Sequence, residues 1–309
     1  MNGGVTYGFI GLGNMGGPMA ANLAAHLAAG GRPAPVVFDA AGTADRAPEG
    51  ATCAADTAAV ARQADLVFLS LPDGAAVAAV AGDIARLPAR RAAALVDLST
   101  VGIDAARDLD SLLAGHGVAY ADCPVSGGRI GAQNATISLM WAGPAGLLEA
   151  HRPALDSFAG NIFHVGDRPG QGQALKLLNN FLSATITAAT AEALLFGLTQ
   201  GLDLKTMLDA VNASSGGSNA SRDKFVRRVL TGTFDSGFDT ALMAKDMQLF
   251  ADSLRRAGSP EVFAAASEAV WRNFRDAMPA SDHMEIYTYI RDRLAPAPER
   301  AGPAEENGT

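Results

Sequence analysis

Cysteine is scarce in this 309-residue chain, which has only Cys53 and Cys123, with no CxxC pair and no Cys/His spacing of the metal-binding kind. That excludes a disulfide-stapled scaffold, leaves no metal in the expected chemistry, and fits a reducing compartment, the cytoplasm. Clustered positive charge is missing as well. Lys and Arg number 24 against 32 Asp and Glu, for a formal charge of −8, and no basic block stands out, so no nucleic-acid or anionic-membrane partner is expected. The N-terminus has no basic segment followed by a free-standing apolar stretch; its apolar residues belong to a strand and a glycine turn. No membrane-spanning run is expected either. The stretch after Lys176 comes closest, but Glu192 and its polar flanks suit a protein interior better. Tandem repeats are also absent. What is present is a chain 49% apolar, long enough for two domains with real cores.

Strand-like and helix-like segments alternate through the first half. Val5 to Ile10 is a β-prone run ending at Gly11, and Met15 to Ala29 has helical periodicity closed by Gly30-Gly31. Further strands are expected at Pro35–Asp39, Ala64–Leu71, Ala94–Leu98 and Val118–Tyr120, then at Thr136–Ala142 and Asn161–Val165. Such alternation predicts an α/β fold, a doubly wound parallel sheet of Rossmann type, over residues 1–168. Asp167-Arg-Pro-Gly170 then punctuates the chain. From Ala174 the β-prone pattern stops, and helices are expected at 174–200, 203–212, 222–230, 240–257, 261–278 and 283–294. Residues 169–294 are therefore expected to form an all-α domain entered by a long interdomain helix. The proline-rich, polar residues 295–309 read as a disordered tail.

Gly11-Leu-Gly13-Asn14-Met15-Gly16 lies between the first strand and its helix, the setting in which GxGxxG binds a dinucleotide. Gly11 permits the tight turn, Gly13 a close backbone approach to pyrophosphate, and Gly16 helix-on-strand packing. The helix N-terminus offers amides and positive dipole to the anion. Asp39 follows Gly16 by 23 residues at the end of the second strand, where a carboxylate bonds ribose hydroxyls and repels a 2′-phosphate. That favours NAD; nearby Arg46 leaves NADP open. Leu71-Pro72 and Thr100 follow the third and fourth strands, at the carboxyl edge where open sheets bind ligands.

Gly170 to Asn180 puts a lone lysine and two asparagines at the start of an apolar helix of roughly seven turns. Lys176, Asn179 and Asn180 share one face at spacings of three and four residues. Alone, this pattern suits a lysine snorkelling to solvent beside a local cap. In company with the glycine turn it suits a proton-transfer group.

Four motifs in order carry a family resemblance: Gly11 through Leu23, Asp122-Cys-Pro-Val-Ser-Gly-Gly128, Gly170 through Asn180, and Lys245-Asp-Met-Gln-Leu249. Together the chain resembles the β-hydroxyacid dehydrogenase family over nearly its whole length, to about Leu294. The resemblance implies a cleft between a Rossmann domain and a helical domain, with assembly as a homodimer or homotetramer through the helices. By position, Ser126, Gly127 and Gly128 would hold a small substrate carboxylate, and a hydroxyl with successive backbone amides makes a suitable anion nest. Lys176 resembles the family's catalytic lysine and Asn180 its substrate-orienting asparagine. Asn179 stands where sugar-phosphate members place histidine. Lys245 matches a lysine on the nicotinamide side, with Asp246 holding local structure. The expected reaction is hydride transfer between a nicotinamide cofactor and a small 3-hydroxy acid such as 3-hydroxyisobutyrate, or its semialdehyde.

Three positions depart from the family pattern: Ala135 replaces a common glycine, Trp141 a small aliphatic residue, and Cys123 an alanine. They bear on the substrate, not on the reaction. Three other readings compete. An imine reductase on the same fold generally lacks this lysine, and a non-catalytic dinucleotide-binding module would not need it. A sugar-phosphate dehydrogenase would need a longer helical domain and a phosphate-binding cluster of Arg and Lys.

Overall fold

The computed structural model describes residues 4–294, so the expected tail at 295–309 lies outside the described residues. Among the described residues nine strands form one sheet: β1 Tyr7–Ile10, β2 Val36–Phe38, β3 Thr52–Cys53, β4 Leu66–Leu69, β5 Ala94–Asp97, β6 Ala119–Asp122, β7 Val125–Ser126, β8 Ile137–Ala142 and β9 Ala159–Gly166. Their order is β3-β2-β1-β4-β5-β6-β8-β7, with β9 on β8. β1 to β6 are all parallel. The strand order reverses beside β1, so the carboxyl ends of β1 and β4 flank a crevice suited to a ligand.

Strand side chains alternate faces, which gives this sheet two cores. Tyr7, Phe9, Phe68 and Val96 pack on one face against Met19, Leu23 and Leu27 of the helix Gly16–Ala29. Ile10, Val67, Leu69 and Leu95 pack on the other against Val60, Val77, Ile84 and Leu109 from three further helices. A sheet buried on both faces needs continuous apolar strands, and β4 is buried at all four residues.

The far edge is not parallel. β8 runs antiparallel to β6 and β7, and β9 parallel to β8. The connection from β7 to β8 is only the short helix Gly128–Gln133 and a turn at Ala135, too little chain for a crossover. Ala135 turns with φ +54°, a left-handed backbone that explains why glycine is the common residue there. Trp141 and Cys123, the other two departures, are wholly buried in the first core and do not line a cleft.

The chain then becomes helical. A helix spans Gln171–Thr199, followed by helices at Leu204–Asn212, Thr240–Ala257 and Val262–Ala277. The expected helix at 222–230 is a π-helical segment, Ala220–Val229, and the expected 283–294 helix is a 3₁₀ turn, a short α-helix and a π turn. Gln171–Thr199 is long and apolar enough to cross a membrane by length and composition. Here it is the axis of the helical part: Ala184 packs with Met243, Trp271 and Phe274, and Ala191 and Leu194 pack with Leu208, Phe225 and Tyr287.

Candidate active site

Beyond β1 the chain turns through Gly11 to Met15 into its first helix. Gly11 has φ +93°, and a Cβ there would lie 2.2 Å from the Ser70 carbonyl oxygen; one on Gly16 would lie 1.9 Å from that of Gly11. Neither position has room for a side chain. Gly13 is exposed, with nothing within 4 Å of where its Cβ would stand. Asn14 is exposed beside it, while Met15 packs onto the core below. No side chain caps the helix and its first turn carries no acid, so its leading amides can receive an anion.

Asp39 stands just past β2 and faces this turn. Its carboxylate accepts the Leu12 N–H at 2.7 Å and the Ala41 N–H at 2.8 Å, and Arg46 Nη1 lies 3.7 Å from Oδ2. The acid therefore braces the glycine turn as well as standing at its mouth. The bare edge at Gly13, the uncapped helix and this carboxylate fit the pyrophosphate and ribose of a dinucleotide.

The carboxyl ends of β4 and β5 lead to Leu71, Pro72 and Thr100. The Leu71 N–H donates to Ser99 Oγ at 2.9 Å. Lys245, from the helix Thr240–Ala257, donates to the Thr100 carbonyl at 2.6 Å and reaches that of Pro72 at 3.4 Å. One lysine of the helical part thus gathers two of the sheet's loops.

Ser126 ends β7, and Gly127 (φ +132°) and Gly128 (φ +65°) open the short helix that follows. Asn179 Nδ2 makes a long contact to Ser126 Oγ, 3.5 Å, and a second to Asn180 Oδ1, 3.2 Å. Asn180 Nδ2 donates to Asp246 Oδ2 at 2.6 Å, so buried Asp246 fixes the Asn180 amide. Lys176, one turn earlier, is 9% exposed and makes no hydrogen bond or ion pair of its own among the described residues. Burial pulls its pKa down to about 8; the negative charge of Asp246 opposes the shift and the positive charge of Lys245 adds to it.

Three residues to which the sequence assigned no role of their own hold this arrangement. Asp122 accepts the Gly170 N–H at 2.9 Å and the Gln173 N–H at 2.8 Å, capping the long helix from a neighbouring strand. Burial nevertheless raises its pKa to about 7, and that of its register partner Asp97 to about 6. Gln173, fully buried, accepts the N–H groups of Val101 and Gly102 at 2.9 and 3.1 Å and donates to the Ser99 carbonyl at 3.1 Å. Gly172 leaves room for this docking, since a Cβ there would lie 2.4 Å from the Met140 carbonyl oxygen. All these contacts join residues far apart in sequence, so no local pattern announces them. A fourth residue, Lys224, is a second lysine drawn out of solvent, half-buried against the long helix. In sequence it reads as an ordinary helix lysine, with Asp223 before it and Arg227 after it.

Known proteins resemble this chain over nearly its whole length. Residues 6–166 match the family described as the NAD binding domain of 6-phosphogluconate dehydrogenase, and residues 170–290 the NAD-binding family of NADP-dependent 3-hydroxyisobutyrate dehydrogenase. A probable 3-hydroxyisobutyrate dehydrogenase of Mycobacterium tuberculosis is 33% identical over 289 residues, covering 91% of this chain and 94% of the relative. The 2-(hydroxymethyl)glutarate dehydrogenase of Eubacterium barkeri is 33% identical over 273 residues, covering 88% and 89%. Among solved structures, the M. tuberculosis 3-hydroxyisobutyrate dehydrogenase with L-serine superposes with a TM-score of 0.83 at 31% identity, over 93% of this chain and 99% of that one.

Proposed function

Because the chain belongs to the β-hydroxyacid dehydrogenase family and is a nicotinamide-dependent oxidoreductase of hydroxy acids, we propose that it acts on a small 3-hydroxy carboxylic acid or its semialdehyde, with Lys176 as general acid and base. The observation that carries this is Lys176 itself: a buried amine with no hydrogen-bond or ion-pair partner among the described residues, its pKa pulled down by burial to about 8. On this reading the backbone amides of Gly127 and Gly128 and the Ser126 hydroxyl hold the substrate carboxylate. Asn180, its amide fixed by Asp246, orients the hydroxyl-bearing end, with Asn179 closing the gap to Ser126. For oxidation the neutral Lys176 amine takes the proton from the substrate hydroxyl; for reduction its ammonium returns a proton to the same oxygen. The nicotinamide cofactor, when bound, supplies the hydride acceptor in one direction and the donor in the other. Gly11, Gly13, Asn14, Met15 and Gly16 would hold it at the pyrophosphate, Asp39 at the ribose, and Leu71, Pro72, Thr100 and Lys245 toward the ring. NAD is preferred, because the Asp39 carboxylate disfavours a 2′-phosphate.

We assign the working unit as a homodimer or homotetramer assembled through the helical part, acting in the cytoplasm. Supporting the assembly, Leu178, Leu182 and Ile186 stand exposed along one side of the long helix, and Phe196 and Phe263 stand exposed beside a groove of about 500 Å³. Imine reduction is disfavoured by the presence of Lys176.

The test is oxidation of a panel of short 3-hydroxy acids with NAD and NADP in parallel, repeated on Lys176→Ala. Turnover is expected to fall roughly 10²–10⁴-fold in the variant while cofactor binding stays intact. A variant that keeps most of its turnover removes Lys176 from this role. Activity on cyclic imines with none on any hydroxy acid removes the substrate class.

A further inference from the structure

Lys224 comes from the π-helical segment Ala220–Val229 and lays its ammonium against the long helix. It donates to Ser183 Oγ at 2.8 Å and to Thr187 Oγ1 at 3.3 Å. Ser183 and Thr187 lie seven and eleven residues after Lys176, on the same helix face as Lys176 and Asn180. The two lysines thus belong to one polar stripe, and the charge of Lys176 is felt at Lys224. Burial, the largest influence, brings Lys224 down to about 8; Asp223 and Asp282 oppose that shift.

The stripe has a charge problem. Among the described residues no carboxylate forms an ion pair with Lys224, whose polar partners are two neutral hydroxyls. The two nearby acids are engaged elsewhere: Asp223 pairs with Arg227 at 2.6 Å, and Asp282 accepts from the Ser236 hydroxyl and from the N–H groups of Gly237 and Met284. A half-buried cation with no anion is costly, and a neutral side chain would join two helices at lower cost. What explains an ammonium there is an anion that arrives from outside.

Taking the proposed 3-hydroxy acid reaction as its basis, we infer that Lys224 binds a second acidic group on the substrate, so that the preferred substrate is a hydroxy diacid. The first carboxylate sits on Ser126 to Gly128, the hydroxyl on Lys176, and the second acid beyond them toward Ser183. From Asn180 to Ser183 the helix rises about 4.5 Å, the reach of three or four carbon–carbon bonds. The second carboxylate therefore belongs two or three carbons past the branch that bears the first.

The test uses the full chain with a matched pair, 3-hydroxyisobutyrate and 2-(hydroxymethyl)glutarate, on the parent protein, Lys224→Met, Lys224→Arg and Arg129→Met. Arg129 is the control because it is exposed beside Gly128, its side chain 3.8 Å from where a Cβ on Gly237 would stand. The parent should favour the diacid by about tenfold or more. Lys224→Met should lower kcat/KM for the diacid about ten- to a hundredfold, mainly through KM, and leave the monoacid within about threefold; Lys224→Arg should keep most of the preference. Equal loss on both acids makes Lys224 a structural stitch and overturns the inference, as does a parent that favours the monoacid, or a preference that follows Arg129. Glutarate, which has no hydroxyl to oxidise, separates the two readings in a calorimetric titration. Glutarate binding lost in Lys224→Met, with neither hydroxy acid turned over, retains the second-acid site and removes the dehydrogenase substrate. Glutarate binding unchanged by Lys224→Met overturns the site itself.

Discussion

Burial brings the Lys176 amine down to about 8, mostly protonated at neutral pH, so in the proposed role it would stand ready to donate and its minority neutral form would limit oxidation. Oxidation turnover should therefore climb as pH rises through about 8 and level off above it, while reduction declines over the same interval. The neighbours set where that midpoint falls. Lys245→Gln removes a positive charge that disfavours the ammonium and should move the midpoint up; Asp246→Asn removes a negative charge that favours it and should move it down. Initial rates in both directions across pH 6–10 for the three proteins would check this, and a midpoint indifferent to both substitutions belongs to another group. The lysine itself was legible in the sequence, as a lone charge where an apolar helix begins. Lys245 was legible too, through its motif; the opposing pull of Asp246 on the amine was not, because Asp246 lies seventy residues further on and reads there as a local structural acid. Lys224 was illegible for the opposite reason, being surrounded in sequence by the ordinary charges of an exposed helix.

The long helix is the element on which the candidate site depends, and its first turn carries the attachment. Gly172→Ala would drive a methyl against the Met140 carbonyl and the Asp122 carboxylate, an overpacking that should cost about 1–3 kcal/mol. Gln173→Ala would strand the buried N–H groups of Val101 and Gly102, at about 1–3 kcal/mol for each amide left unpaired. Urea melts of both variants should show the loss as a lower midpoint with the slope unchanged; an unaltered midpoint would mean that the first turn can shift without penalty. The helix's extent was legible to within three residues at its start, since a long apolar run without proline has few alternatives. Its docking was not, because the cap comes from Asp122 on β6, about fifty residues earlier. β3 and β7 escaped for a plainer reason: two residues carry no periodicity.

At the scale of the molecule, a sheet that offers its carboxyl edge meets a helical part that closes over it, and Lys245 and Gln173 are two of the stitches between them. The parallel order from β3 to β6 was legible because buried strands alternating with helices leave one economical topology. The antiparallel turn at β8 was hidden by a connection too short to show a pattern. Cofactor choice is best measured on the whole chain. At a hundredfold excess over its dissociation constant a ligand adds about 2.7 kcal/mol to stability, so NAD should raise the melting temperature more than NADP at equal concentration, and the reverse order would remove the preference assigned to Asp39. Among the described residues, every hydrogen bond tying the long helix to the sheet comes from Gly170, Gln173 or Asn179; from Asn180 onward its partners are other helices. That division makes the helix a graduated rule, its early marks fixed by the sheet and its later ones free to be re-cut. On the proposed assignments, substitutions at Ser183, Thr187 or Lys224 would move a descendant of this protein to new acids, generation by generation, without disturbing the turn that carries Lys176.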